Sequence, residues 1–146
     1  AFDLRYKYMR TRFGLIAVPQ HELLRAMVAN ERTTDKNFSY GIVADQSPPR
    51  REPPHWFDFL GRPTAFYTGT EKVAPKFKMP VYYVHWEKHS RCQHVVRFEQ
   101  IYDGVEKVAP EEITARYVRK LEEQINEHPE LWMWSHKRWK HTYSGD

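Results

Sequence analysis

The most constraining feature of the sequence is an amphipathic segment at residues 110–127. Pro110 and the acidic residues Glu111 and Glu112 are typical of the first turn of a helix. Apolar side chains then recur at four-residue intervals, at Ile113, Tyr117, Leu121 and Ile125. Residues four apart share one face of a helix, and an apolar face must be buried against another layer. The segment therefore predicts a helix that packs on a sheet.

The rest of the chain alternates between patterns typical of helices and of strands. Helices are predicted at residues 1–13, after Pro19, and at 68–77. Strands are predicted at Leu15–Val18, Phe38–Ala44, Pro80–Glu87 and His94–Tyr102. Trp56–Leu60 alternates only imperfectly between apolar and polar residues. The proline-rich stretch Ser47–Pro54 predicts a loop. The predicted fold class is α/β, a mixed sheet with flanking helices in one domain of residues 1–146.

Charge and cysteine content exclude several classes of protein. The chain has 23 Lys and Arg against 19 Asp and Glu, and its net charge of +4 permits an anionic partner without requiring one. No apolar run approaches the roughly 18 residues of a membrane-spanning helix. The single Cys92 excludes an internal disulfide. Because Ala1 opens inside a helical pattern, we expect the chain to have been cut from a larger protein.

The C-terminal segment combines tryptophans with cations. Three of the five tryptophans lie within residues 132–139, and no acidic residue occurs between Glu130 and Asp146. Such a segment can hold phosphates of a lipid headgroup or a nucleic acid. It can equally be a docking tail whose tryptophans fill the core. For the tail we predict that Trp132 and Trp134 are buried and that a carboxylate or carbonyls hold Arg138.

Residues 128–140, His-Pro-Glu-Leu-Trp-Met-Trp-Ser-His-Lys-Arg-Trp-Lys, resemble the signature that ends the bacterial lipid A biosynthesis acyltransferases. The residues here that match this signature are Trp134, His136, Arg138 and Lys140. Further blocks resemble the family in the same order along the chain: Arg10-Thr11-Arg12, Ala44-Asp45-Gln46, Phe59-Leu60-Gly61-Arg62-Pro63, Thr68-Gly69-Thr70 and Met79-Pro80-Val81. The resemblance implies the C-terminal portion of a glycerol-phosphate-acyltransferase-like fold.

The resemblance also implies an activity. Such enzymes move a fatty acyl chain from acyl carrier protein to a hydroxyl of a phosphorylated lipid A precursor, without a cofactor, at the cytoplasmic face of the inner membrane. A His-x-x-x-x-[Asp/Glu] motif supplies their general base. In the family this motif precedes the Arg-x-Arg block, so we expect it, with a membrane anchor, upstream of Ala1. No catalytic residue is then expected in this chain.

The substrate-binding candidates that the resemblance indicates are Arg10, Arg12, Asp45 and Gln46. The arginines can bind phosphate, or they can form a solvated end of a basic helix. Asp45 follows a predicted strand, where α/β proteins place ligand sites, or it is a turn residue. Alternative functions are a phosphate- or nucleic-acid-binding module, a non-catalytic relative, and a glycerophospholipid-type relative. Modest charge and the lack of a recognition-helix pattern argue against a nucleic acid partner.

Two further patterns in the sequence resemble reactive sites. His94 and Glu99 have the His-x-x-x-x-Glu spacing, but in a strand this odd spacing places them on opposite faces. His85, Glu87, His89, Cys92 and His94 include ligand types that suit zinc. A hairpin could bring His85 opposite His94, but solvated hairpin residues are the better explanation of the cluster. We therefore predict no metal site.

Overall fold

The first unit of the chain, Ala1–Gly41, contains the first two α-helices. The computed structural model describes residues 2–33, 36–49 and 54–143. Helix α1 spans Phe2–Thr11, and a short 3-10 turn leads into helix α2, Leu23–Glu31. Met27 is buried, whereas Leu24 of the predicted apolar stripe is 46% exposed. Both predicted helices are therefore confirmed, with a narrower buried face on α2.

The described part of the second unit, Ile42–Asp146, contains two β-hairpins, two α-helices and a short 3-10 helix at Pro129–Leu131. Strands β1 (His55–Phe59) and β2 (Arg62–Phe66) form the first hairpin, and β3 (Val81–Ser90) and β4 (Gln93–Tyr102) form the second. Helix α3 spans Gly69–Lys76 and helix α4 spans Glu112–Glu127. Leu60 and Gly61 connect β1 and β2 with positive φ angles of 51° and 71°, as in the two-residue turns that match strand twist.

Helix α4 packs on both hairpins, as its apolar spacing predicts. Its side chains Ile113, Leu121 and Ile125 are each at most 6% exposed. Leu121 and Ile125 lie in a core that also contains Phe59, Phe66, Tyr83, Ile101 and Val118. The start of α4 is held from α3, because the backbone N–H and hydroxyl of Thr114 both donate to Glu71 Oε2, at 2.9 and 3.0 Å. The prediction of a helix on a β layer is confirmed.

The predicted mixed sheet is wrong within the described part of the chain. The strands there form two separate two-stranded antiparallel sheets. Residues 15–18 and 38–44, both predicted as strands, have no regular secondary structure. A strand requires a neighbouring strand for its backbone hydrogen bonds, and side-chain composition alone cannot supply one. Asp45 therefore lies in a bend and does not end a strand.

Candidate functional site

The C-terminal tail runs along the loop that carries Asp45 and Gln46. The backbone N–H of Ser47 donates to His136 Nε2 at 3.2 Å. The Ser47 hydroxyl is within hydrogen-bonding distance of two tail carbonyls, that of Lys137 at 3.2 Å and that of Arg138. His141 Nε2 lies 2.9 Å from the carbonyl oxygen of Pro48. We call these contacts the tail clamp, and they fix the loop directly after Asp45 and Gln46.

Arg138 is the anchor of this tail. Its side chain is only 2% exposed, and its guanidinium lies over the ring of Phe66, 4.3 Å from the centroid. Nη2 donates to the carbonyl oxygen of Ala65 at 2.7 Å. Nε and Nη1 have no hydrogen-bond partner among the described residues. Burial lowers the pKa of Arg138 to about 10, so the group is still a cation at neutral pH.

The negative charge of Asp45 acts electrostatically on Tyr83, Tyr117 and Arg138. Burial raises the pKa of both phenols, and the charge of Asp45 raises them further. Both hydroxyls therefore remain protonated at neutral pH and can donate hydrogen bonds. The Tyr83 hydroxyl donates a hydrogen bond to Gln124 Oε1 at 2.9 Å, and the ring centroids of Tyr83 and Tyr117 are 5.6 Å apart. Asp45 is half-buried, and its carboxylate can accept hydrogen bonds from a ligand hydroxyl.

The other signature residues do not share one environment. Trp134 is 55% exposed, so its predicted burial is wrong; its indole N–H donates to the carbonyl of Pro129. Trp132 is the tryptophan that packs on the core, with its ring 5.9 Å from that of Phe59. Lys140 is exposed. Of the two kinds of partner predicted for Arg138, a carboxylate or carbonyls, the structure shows one carbonyl, that of Ala65.

The remaining binding candidates are exposed. Arg10 and Arg12 lie at the end of α1 in the first unit, and the guanidinium of Arg12 is 4.7 Å from the Phe13 ring centroid. Gln46 is exposed beside Asp45 in the second unit. Sequence reasoning missed Ser47, Tyr83 and Tyr117 as members of the site. Their roles depend on contacts between residues about 35 to 90 positions apart, for which no local pattern exists.

The family of bacterial lipid A biosynthesis acyltransferases has a sequence model that matches residues 1–141. The chain belongs to this family. No curated protein and no solved structure gives a significant match. Within the described ranges, no helix combines the length and the apolarity that crossing a bilayer requires. Acyl transfer to a hydroxyl is assisted by a general base, and histidine is the side chain that most often has this role.

The His94 and Glu99 pair does not form a dyad. The indole N–H of Trp86 donates to His94 Nδ1 at 3.0 Å, whereas Glu99 binds His85 at 2.8 Å and Lys120 at 3.0 Å. The same spacing recurs at His141 and Asp146, but His141 contacts Pro48 and Asp146 lies outside the described residues. Two other histidines contact carboxylates from elsewhere in the sequence. His55 contacts Glu111, and His85 contacts Glu99.

The register of the β3–β4 hairpin excludes one arrangement of the histidines that could have held a metal ion. His85 pairs with Arg97 across the strands, and His94 pairs with Lys88. The arrangement that would bring His85 opposite His94 therefore does not occur. No group of three or more potential metal ligands is found in the part of the chain that the structure describes. Cys92 lies exposed in the turn between β3 and β4.

Proposed function

We propose that this chain is the later half of a lipid A acyltransferase and that it binds the acceptor lipid. The enzyme would transfer a fatty acyl chain from acyl carrier protein to a hydroxyl of a phosphorylated lipid A precursor. The observation that carries the proposal is the tail clamp. It ties the family's C-terminal signature to the loop of Asp45 and Gln46, through Ser47 and Pro48.

Each candidate residue receives a role in this proposal. Asp45 accepts hydrogen bonds from sugar hydroxyls of the precursor, and Gln46 both accepts and donates them. Arg10 and Arg12 bind phosphates of the precursor. His136 and Arg138 position the loop and do not touch substrate, because Arg138 is buried and His136 accepts from Ser47. Trp134 and Lys140 remain at the surface of the tail.

The general base is proposed to lie outside this chain. A His-x-x-x-x-[Asp/Glu] motif, with a membrane anchor, is expected in sequence upstream of Ala1, and the complete fold is expected to be glycerol-phosphate-acyltransferase-like. The complete enzyme would then act without a cofactor at the cytoplasmic face of the inner membrane, with acyl carrier protein as its donor. The Arg-x-Arg block at residues 10–12 supports this arrangement, since the family's base motif precedes that block.

The test is binding of a phosphorylated lipid A precursor in detergent micelles, measured by fluorescence titration. Arg12→Ala should lower affinity by roughly tenfold or more, because it removes a charge-assisted hydrogen bond. Asp45→Asn should lower it about threefold to tenfold, because an amide accepts fewer and weaker hydrogen bonds. Arg25→Ala and Asp58→Asn are matched controls at exposed positions of α2 and β1 and should leave affinity unchanged.

Two results would contradict the proposal. One is parental affinity in both Arg12→Ala and Asp45→Asn. The other is equally tight, equally salt-dependent binding of a single-stranded oligonucleotide, which would indicate the nucleic-acid-binding alternative.

A further inference from the structure

The β3–β4 hairpin has two faces of different chemistry. On the inner face, Tyr83 is buried, while His85 and Lys120 of α4 both bind Glu99. Alternation along the strands and the cross-strand register define the opposite, outer face. Its members are Tyr82, Val84, Trp86, Lys88, His94, Val96, Phe98 and Gln100. None of these side chains is buried by the described part of the chain.

The middle of the outer face is apolar and exposed. Val84 pairs with Phe98, and Trp86 pairs with Val96 in the next cross-strand row. Phe98 is 69% exposed, and the other three side chains are between 41% and 48% exposed. Adjacent rows of a hairpin face are in contact, so the four side chains form one continuous patch. A continuous exposed apolar patch, unlike single exposed residues, indicates a binding surface.

The end of the outer face is cationic. Its cations are Lys88, which pairs with His94 in the next cross-strand row, and Arg91 in the turn beyond that row. The sequence has no acidic residue between Glu87 and Glu99. Both of these acids lie on the inner face, where Glu87 contacts Arg97 at 3.2 Å and Glu99 contacts His85 at 2.8 Å. The outer face therefore combines an aromatic patch with two cations, Lys88 and Arg91, for which no ion pair is found among the described residues.

We propose that the outer face of this hairpin lies flat on the surface of an anionic phospholipid bilayer. Trp86 and Phe98 would enter the boundary between headgroups and acyl chains, where aromatic side chains are favoured. Lys88 and Arg91 would contact lipid phosphates beside them. A second copy of the chain is a poor occupant, because the outer face has no acidic residue to meet its own cations. A nucleic acid would leave Val84 and Val96 without stacking partners.

Cys92 provides a reporter at the tip of the hairpin. It is exposed and is the single cysteine of the chain, so a thiol-reactive, environment-sensitive fluorophore can be attached at one defined position. The labelled chain is titrated with vesicles of phosphatidylcholine alone or of phosphatidylcholine with phosphatidylglycerol. We expect a blue shift of the fluorophore with the anionic vesicles, reduced by salt. The proposal does not depend on the Asp45 site or on acyl transfer, so it can fail independently of them.

Variants separate the two components of the surface. The double variant Lys88→Gln with Arg91→Gln should weaken partitioning into anionic vesicles about thirtyfold, because each cation near such a surface contributes about fivefold. Lys72→Gln with Lys76→Gln removes the same charge from α3 and should change partitioning by less than about threefold.

The apolar patch has its own matched pair. Val96→Ser with Phe98→Ser should weaken partitioning roughly tenfold or more. Val105→Ser with Met133→Ser replaces exposed apolar side chains elsewhere and should have little effect. Thermal denaturation by circular dichroism checks that each variant is folded before its partitioning is compared.

Three outcomes would overturn the proposal. Sedimentation with anionic vesicles without any shift at Cys92 would place the contact on another surface. Equal losses of partitioning in the Lys88 and Arg91 double variant and in its Lys72 and Lys76 control would show that the effect depends on net charge alone. A fluorophore shift that depends on protein concentration, in the absence of vesicles, would assign the face to a second copy of the chain.

Discussion

Arg138 is an unusual core residue, because a charged side chain is rarely fully buried without an ionic partner. Its single backbone hydrogen bond and its stacking on Phe66 only partly replace the lost hydration. We expect Arg138→Lys to destabilise the chain by about 2–3 kcal/mol, since lysine loses the planar contact and keeps the buried charge. Arg138→Met should be less destabilising, because it fills the same space without a charge to desolvate.

Chemical denaturation of the two Arg138 variants measures this difference directly. A lysine variant as stable as the parent would show that the side chain is solvated and that the tail is not anchored in the core. Loss of anionic lipid binding with unchanged stability would instead assign Arg138 to a membrane contact.

Ser47 is a second residue whose effect reaches beyond its own position. Ser47→Ala removes the hydroxyl that bonds the tail carbonyls and retains the backbone donor to His136. We expect a loss of about 1 kcal/mol in stability and a weaker affinity for the lipid A precursor, because the Asp45 loop gains freedom. Ser39→Ala, at an exposed position of the first unit, is the control in denaturation and binding assays. Unchanged affinity in Ser47→Ala would separate the tail clamp from binding.

At the scale of single elements, helix α4 provides the clearest energetic expectation. Leu121 is 6% exposed within the main core cluster. We expect Leu121→Ala to lower the free energy of unfolding by about 2–5 kcal/mol, because it removes buried methyl groups and leaves a cavity. Asn126→Ala lies on the exposed face of the same helix and should be within about 0.5 kcal/mol of the parent. A similar effect of both substitutions would contradict the assigned buried face.

The contact between the β3–β4 hairpin and α4 should depend on pH. Hydrogen bonds from Lys120 and then His85 lower the pKa of Glu99 below its ordinary value of 4.5. A carboxylate with a depressed pKa stabilises the fold above its unfolded pKa, and this contribution disappears as the pH falls through the folded value. Thermal melts should therefore separate the parent from Glu99→Gln at neutral pH and converge well below pH 4.5. A constant difference across that range would refute the pairing.

Helices and hairpins were predictable from the sequence to different degrees. The α4 face and the β3–β4 pair carry their own periodic patterns, so local reasoning found them. The predicted strands at 15–18 and 38–44 failed because hydrophobic, β-branched residues favour an extended chain but do not provide a pairing neighbour. The same limit applies to the site. Asp45 and Arg138 were identified by resemblance, whereas the contacts of Ser47 and the tyrosines depend on the tertiary fold.

The whole molecule consists of two units, with the arginines of the Arg-x-Arg block in one and Asp45 in the other. In the proposed enzyme, the arginines bind phosphate and Asp45 accepts hydrogen bonds from a hydroxyl. Charge alone gives little help in identifying that ligand, because a net charge of +4 is compatible with many anionic partners. The proposed function therefore depends more on the family match and the tail clamp than on composition.

The last prediction concerns catalysis by the chain itself. Incubated with acyl carrier protein thioester and a lipid A precursor, residues 1–146 should produce no acylated product. A neutral hydroxyl without a positioned base is a poor nucleophile, and a general base contributes roughly 10²–10⁴-fold. His94 and Glu99 do not form such a dyad with each other, since His94 accepts from Trp86 and Glu99 contacts His85 and Lys120. Mass spectrometry of the lipid product measures turnover, with His55→Ala and His94→Ala as companion variants. Product formation that either substitution abolishes would place a catalytic base in this chain and contradict the proposal that it lies upstream.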